Sequence, residues 1–114
     1  MVTLTDTKMN ISIFRRRRFR AAQSVLKNAV DRLIKEYHVK KIILIGSLID
    51  KDSFGVHSDI DLCVEGLPDS LYFKAVGELL SMSEDFEIDI IPLEDATPEM
   101  KTQAEKGKVL YEKR

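Results

Sequence analysis

Three short stretches of the sequence hold the residue types that could do chemistry. A Gly46-Ser47 pair ends one apolar run. Asp59 and Asp61 stand one residue apart in the next apolar run, and Asp89 lies in a third. Carboxylates in apolar surroundings cost free energy unless they are paired or bind a metal ion. The pattern therefore predicts a metal site.

The spacing of the acids determines which metal is expected. Asp59 and Asp61 lie at positions i and i+2 of a predicted strand, so both carboxylates leave the same face with Cα atoms roughly 6 to 7 Å apart. If the strand of Asp89 is a neighbour with its polar face on the same side, three carboxylates converge. Such a cluster repels itself unless a divalent ion neutralises it, and oxygen ligands select Mg²⁺ or Mn²⁺ rather than zinc.

Gly46 and Ser47 supply what a phosphate site needs on its other side. Glycine lets the backbone approach a phosphate closely, and backbone N–H groups with the Ser47 hydroxyl can donate to its oxygens. Carboxylate-held Mg²⁺ commonly acts on phosphates. The pattern predicts a triphosphate site and a nucleotidyl transfer reaction, with Asp89 as the base for the attacking hydroxyl.

The rest of the chain alternates between helical and strand periodicity. Predicted helices cover about 15–37, 70–83 and 98–107, and predicted strands cover 41–45, 59–64, 86–93 and 108–111. The first helix carries an apolar stripe of Phe19, Ala22, Leu26, Ala29, Leu33 and Tyr37. These elements predict an α/β domain with a small mixed sheet flanked by helices. Segment 48–58 is expected to form one or two helical turns before a loop.

Local signals place the helix ends. Asp69 is the expected N-cap of the second helix, whose apolar residues are Tyr72, Val76, Leu79 and Leu80. Thr97-Pro98 is typical of a helix start, and Gly107 suits the residue after a helix end. Gly77 costs the second helix roughly 1 kcal/mol relative to alanine.

Composition describes one small domain of 114 residues, 44% of them apolar and 32% charged. Residues 1–14 are expected to form a loose arm, with an extended piece around 11–14, and residues 15–114 to form the domain. The lone Cys63 excludes a disulfide within the chain, and no apolar run is long enough to span a bilayer. A cytoplasmic location and no membrane partner are therefore expected.

Charge is divided unevenly along the chain. Residues 1–40 hold ten Lys or Arg against three Asp or Glu, whereas residues 41–114 hold eight against sixteen. The run of Arg15 to Arg18 with Arg20 could contact nucleic acid or an acidic partner. A solvated helix face is the simpler explanation, and nucleic acid is disfavoured because the chain offers no aromatic platform for bases.

Taken together, Gly46-Ser47, Asp59-x-Asp61 and Asp89 resemble the signature of the nucleotidyltransferase superfold shared with DNA polymerase beta. The similarity is strongest to its minimal nucleotidyltransferases and runs from about residue 33 to residue 111. The resemblance implies an ATP-using, Mg²⁺-dependent fold. It also implies a small helical partner of the HEPN class, which many such proteins neutralise as the antitoxin of a toxin–antitoxin pair. Some members transfer AMP to a tyrosine of that toxin.

The segment after Ser47 departs from the family pattern. Members commonly have a small residue, Arg and Gly there, whereas this chain has Leu48-Ile49-Asp50-Lys51-Asp52, with eleven residues between Ser47 and Asp59. Lys51 could replace the missing arginine as a nucleotide contact, but Asp50 and Asp52 would repel phosphates if they faced inward.

Several alternatives remain open at this point. The chain could be a catalytically degenerate binding module that neutralises a partner by contact, or a nucleic-acid-modifying enzyme that uses its arginines. Asp59 and Asp61 could be exposed on an edge strand, and Asp89 could lie on the wet face of an antiparallel strand. The acceptor, the base preference and homo-oligomerisation are not determined by the sequence.

Overall fold

The structure, a computed structural model, describes residues 4–46 and 59–114, with side chains from residue 13 onward. The elements in chain order are α1 (Leu4–Lys35), β1 (Lys41–Ile45), β2 (Ile60–Glu65), α2 (Tyr72–Leu80), β3 (Ile88–Pro92), α3 (Pro98–Lys106) and β4 (Lys108–Glu112). The turns predicted within 48–58 lie outside the described residues. No helix in the described ranges has the length and hydropathy needed to cross a membrane.

The four strands form one mixed sheet in the order β3-β2-β1-β4. β1 pairs antiparallel with both β2 and β4, whereas β2 and β3 are parallel. A parallel pair needs a crossover connection, and α2 supplies it. The predicted α/β domain with a small mixed sheet flanked by helices is therefore confirmed, and β4 is an edge strand as the sequence indicated.

The larger core lies on the sheet face that α1 and α2 cover. Alternate residues of three strands point to this side, because side chains in a strand alternate between faces. The fully or nearly buried members are Ala22, Ala29, Leu33, Ile42, Leu44, Ile60, Leu62, Val64, Ala75, Leu79, Ile88 and Ile90. The Tyr72 hydroxyl also donates to the Ile90 carbonyl at 3.1 Å, which fastens α2 to β3.

The opposite face has a smaller core under α3. Ile43, Ile45 and Cys63 pack there with Ala104 of α3. The thiol of Cys63 is fully buried, and burial raises its pKa above the ordinary value. Because α3 is short, it covers only part of this face.

The N-terminal helix differs from the prediction at its start. α1 begins at Leu4, so the extended piece predicted around 11–14 is wrong. Once the packed turns from residue 19 onward have formed, each further residue adds to the helix at low cost, and residues 4–14 contain neither glycine nor proline. The helix ends at Lys35, yet Tyr37 is buried as the apolar stripe indicated. The division at residue 14 into arm and domain stays a prediction.

The second helix also differs from the prediction. Asp69 is not its N-cap, because residues Asp69–Leu71 form a 3₁₀ turn and α2 begins only at Tyr72. Ala75 and Leu79, four residues apart, set the buried side of α2. Leu80, another apolar residue of this helix, follows Leu79 by about 100° of helical rotation and is therefore 44% exposed.

The third helix begins and ends where the sequence predicts, but its end has a different cause. The Thr97 hydroxyl accepts a hydrogen bond from the Met100 amide at 3.2 Å. Gly107 follows the last helical residue with a φ of -76°, which is not the left-handed conformation that favours glycine. A Cβ at Gly107 would instead lie 2.6 Å from the Leu44 carbonyl oxygen. Glycine is needed here because the helix end passes against β1.

We expect Gly107→Ala to lower the free energy of unfolding by about 1 to 3 kcal/mol, because the added methyl group overpacks a contact with backbone. Gly77→Ala is the matched control, since a Cβ there meets nothing within 4 Å. In the helix interior that change should add about 0.5 to 1 kcal/mol. Urea denaturation of the two variants measures both effects, and equal stabilities would contradict the explanation.

Candidate active site

The pairing of β2 with β3 brings two of the predicted acids together. Asp61 and Asp89 are direct partners in the parallel ladder, so their side chains leave the sheet on the same face. The condition that the sequence left open, neighbouring strands with polar faces on one side, is met. β2 also has a neighbour on each side, so Asp61 does not lie on an edge strand.

The electrostatic environment of Asp61 is unfavourable for a negative charge. Burial raises the pKa of this carboxyl to about 6, assisted by the charges of Asp89 and Asp59 and by a hydrogen bond with Asp89. A hydrogen bond between two carboxyl groups needs a proton on one of them. In the absence of a cation, the pair of Asp61 and Asp89 therefore retains one proton at mildly acidic pH. Two isolated aspartates would have released that proton.

Gly46 brings the end of β1 against this pair. Its φ is 83°, a conformation that favours glycine, and the preceding residue Ile45 is the ladder partner of Asp61. A Cβ at Gly46 would lie 3.0 Å from the Oδ2 atom of Asp61. The chain thus enters segment 47–58 directly beside the acids. Ser47 and Lys51, the other predicted nucleotide contacts, lie outside the described residues.

Asp59 lies just before β2, which begins at Ile60, so its predicted position within the same strand as Asp61 is wrong. It instead lies between the acid pair and a groove. It is partly buried, and the next amide, of Ile60, donates to the Glu87 carbonyl at 2.9 Å, which extends the pairing of the two segments. The groove has a volume of about 580 Å³, and Asp59 forms part of its wall.

Arg18 of α1 forms another part of that wall. The sequence singles it out only as one member of the run Arg15 to Arg18. Its guanidinium lies 4.4 Å from the ring centroid of Phe86 and donates to the Asp85 carbonyl at 3.2 Å. A signal for this position does exist in the sequence. Arg18 precedes the buried Ala22 by four residues, so helical periodicity alone places it on the packed side of α1.

The donor set suits a hard divalent cation. Within residues 4–46 and 59–114, no group of three or more acidic, histidine or cysteine side chains is arranged to hold a metal ion. However, Mg²⁺ is typically bound through one or two carboxylates, with substrate phosphates and water completing its coordination. Asp61 and Asp89, with Asp59 near enough to act on Asp61 through its charge, match that chemistry.

We expect Asp61→Asn to raise the melting temperature of the protein at pH 7 in a chelating buffer. The folded-state pKa of Asp61 is raised from 3.8 to about 6. Its ionisation therefore costs stability as pH rises from about 4 through 6, and at pH 7 the full cost is present. The advantage of the asparagine variant should shrink as pH falls towards 4. A thermal denaturation series over pH measures this difference.

The control for this series is Glu105→Gln, which removes a charge from an exposed position on α3. It should leave the melting temperature nearly unchanged over the same pH range. If Asp61→Asn behaved like this control, the like-charge environment described for Asp61 would be wrong.

Comparison with known families gives one match in sequence. The model of the family described as polymerase beta nucleotidyltransferase matches residues 27–114. That range includes Gly46 and all three aspartates. No curated protein matches the chain.

Comparison with solved structures gives matches in fold. One is a crystal structure of a toxin–antitoxin with AMP-PNP, at 24% identity and a TM-score of 0.61, covering 76% of this chain and 73% of the other. Another is the toxin–antitoxin MntA–HepT, at 22% identity and a TM-score of 0.58, covering 79% and 72%. At these identities the similarity is one of fold.

Proposed function

We propose, since the chain belongs to the polymerase beta nucleotidyltransferase family, that it transfers a nucleotide to a hydroxyl group on a protein or a small molecule. The proposed donor is ATP, and the group that is transferred is AMP. The observation that carries the proposal is the Asp61–Asp89 ladder pair beside Gly46. This arrangement places clustered carboxylates next to a glycine through which backbone can approach a phosphate.

The proposed metal ligands are Asp59, Asp61 and Asp89. An Mg²⁺ or Mn²⁺ ion bound there would neutralise the clustered carboxylates and the charge of the triphosphate. The raised pKa of Asp61 supports this role, because a carboxyl whose anion is destabilised by burial and by its acidic neighbours gains from a nearby cation.

The proposed nucleotide contacts lie at and after the end of β1. Gly46 admits the phosphates close to the backbone, and the Ser47 hydroxyl donates to their oxygens. Lys51 supplies a positive charge in the place of the arginine that the family commonly has. In this arrangement the triphosphate lies between these donors and the carboxylates.

The proposed reaction is an in-line displacement at the α-phosphorus. The acceptor hydroxyl oxygen bonds to that phosphorus while the bond to the bridging oxygen breaks, and pyrophosphate leaves with the bonding electrons. The proton of the hydroxyl passes to the carboxylate of Asp89, which acts as the general base. Asp59 and Asp61 hold the reacting groups in position.

The biological setting that we propose is a toxin–antitoxin pair in the cytoplasm. Solved structures of similar fold are toxin–antitoxin complexes, one of them with AMP-PNP. By this analogy, the chain is the antitoxin and its partner is a small helical protein of the HEPN class, which also presents the acceptor hydroxyl. The single free cysteine, Cys63, suits a reducing compartment.

We expect the purified protein to transfer label from α-labelled ATP to such a partner in the presence of Mg²⁺. The double variant Asp59→Asn with Asp61→Asn should reduce transfer by at least 10²-fold, because the cluster loses the charges that hold the cation. Glu105→Gln serves as the active control. Unchanged transfer in the double variant would contradict the mechanism.

A second function, neutralisation of the partner by contact alone, is motivated by the sequence Leu48-Ile49-Asp50-Lys51-Asp52 after Ser47, which lacks the arginine and glycine that the family commonly has there. Calorimetry separates the two functions. Titration of Mg²⁺-ATP should give a saturable binding isotherm if the chain is an enzyme. A protein that binds its partner but not Mg²⁺-ATP would be a binding module.

We also expect Gly46→Ala to weaken Mg²⁺-ATP binding by about tenfold or more, because its methyl group would lie 3.0 Å from the Asp61 carboxylate. Gly66→Ala is the matched control: Gly66 has a φ of 87°, and a Cβ there would meet Lys40, far along the strand from the acids. Both variants should lose stability. Only Gly46→Ala should lose affinity in calorimetry at a temperature where both are folded, and equal affinities would remove Gly46 from the site.

A further inference from the structure

The N-terminal part of α1 extends beyond the body of the protein. A helix of 32 residues is about 48 Å long, and the molecule measures 56 × 28 × 23 Å. Residues 13–17, here called the basic segment, are exposed along their whole length. Ile13 and Phe14 are 44% and 51% exposed, and three arginines follow them. The basic segment therefore presents exposed apolar and positive surface in the part of the chain that the structure describes.

The groove beside Asp59 has the complementary composition. Among the described residues that line it, four are acids, Asp59, Glu84, Asp85 and Glu87, and one is a cation, Arg18. Leu80, 44% exposed, adds an apolar element to the wall. We call this surface the acidic groove.

Arg18 shows that the acidic groove accommodates a guanidinium. Its side chain lies over the Phe86 ring and donates to the Asp85 carbonyl. Stacking on an aromatic face and hydrogen bonding to a carbonyl are favourable modes of arginine recognition. The groove thus already holds one arginine of α1, supplied from within the same chain.

We propose that two copies of the chain form a symmetric dimer in which the basic segment of each copy lies in the acidic groove of the other. The basic segment carries three arginines, and the described residues that line the groove have an excess of three negative charges. Ile13 and Phe14 would cover Leu80 of the second copy. One contact thus pairs two surfaces that are exposed in the single chain.

The geometry of α1 allows two copies to make this contact twice, once in each direction, about a two-fold axis. Arg18 is both a wall of the acidic groove and the residue directly after the basic segment, so the segment leaves the body at the rim of its own groove. A two-fold axis near this rim lets each segment cross to the other groove. Because the contact is then isologous, association stops at the dimer.

A second copy explains these surfaces better than nucleic acid does. Phosphates would pair with the exposed arginines, but the acids that border them would repel the same strand. A second copy neutralises the basic segment and the acidic groove together. The groove ends at Asp59, so the dimer contact would border the acid pair of the proposed active site.

The proposal is tested by the molar mass of the full chain in solution at 50 mM and 500 mM salt, measured by sedimentation or light scattering. We expect a dimer at low salt and a smaller dimer fraction at high salt, since exposed charges are screened. The variant Arg15→Glu, Arg16→Glu, Arg17→Glu should be monomeric at both. The variant Glu84→Lys, Glu87→Lys should also be monomeric.

Mixing the two charge-reversed variants is the decisive arm of the experiment. In the heterodimer, each reversed segment meets a reversed groove and each native segment meets a native groove, so the dimer should return. Lys101→Glu, Lys106→Glu on exposed positions of α3 is the control and should remain dimeric at low salt. Circular dichroism checks that every variant is folded.

Three results would overturn the proposal. They are a wild-type protein that is monomeric at 50 mM salt, a charge-reversed variant that remains dimeric, and a mixture that remains monomeric although both components are folded. Binding of RNA by a monomeric wild type, lost in the arginine variant, would assign the basic segment to nucleic acid instead. None of these measurements depends on nucleotidyl transfer.

Discussion

The parallel pairing of β2 with β3 is the constraint on which the rest of the structure depends. One register places Asp61 beside Asp89 and, on the other face, aligns Ile60 with Ile88 and Leu62 with Ile90. A slip of one residue would turn the apolar set outward and the acids inward. The buried contacts with α1 and α2 therefore hold the register that keeps two carboxylates together in spite of their repulsion.

Two glycines allow other parts of the chain to lie close to β1 or to its end. Gly46 at its end leaves room for the Asp61 carboxylate, and Gly107 lets the end of α3 pass against the Leu44 carbonyl. The two glycines serve different physical needs. Gly46 has a positive φ as well as a close neighbour, whereas Gly107 has an ordinary backbone conformation and only the close neighbour. Both contacts bring chain segments against β1 on the side of the acids.

The basic and acidic parts of the sequence come together in the structure at Arg18. This residue directly follows the exposed basic segment and lies among the acids of the groove next to Asp59. The basic and acidic parts of the chain, far apart in sequence, thus meet at one border of the proposed active site. An electrostatic surface of this kind influences association and its salt dependence more than it influences the fold.

The sequence by itself determined the elements and the candidate acids, because period-two and helical patterns are local properties of the chain. It identified the four strands of the described residues, the helix start at Thr97, and Asp61 and Asp89 as acids within strands, whereas Asp59, which was predicted to share the strand of Asp61, lies just before β2. Tertiary structure decided what local patterns do not encode. Strand order made β2 and β3 parallel neighbours, packing against Ala75 and Leu79 turned Leu80 outward, and Gly107 proved necessary through contact with β1. Arg18 likewise differs from its neighbouring arginines because it contacts residues that lie 67 or more positions away in the sequence. Helical spacing indicates that Arg18 lies on the packed side of α1, but it cannot identify these partners.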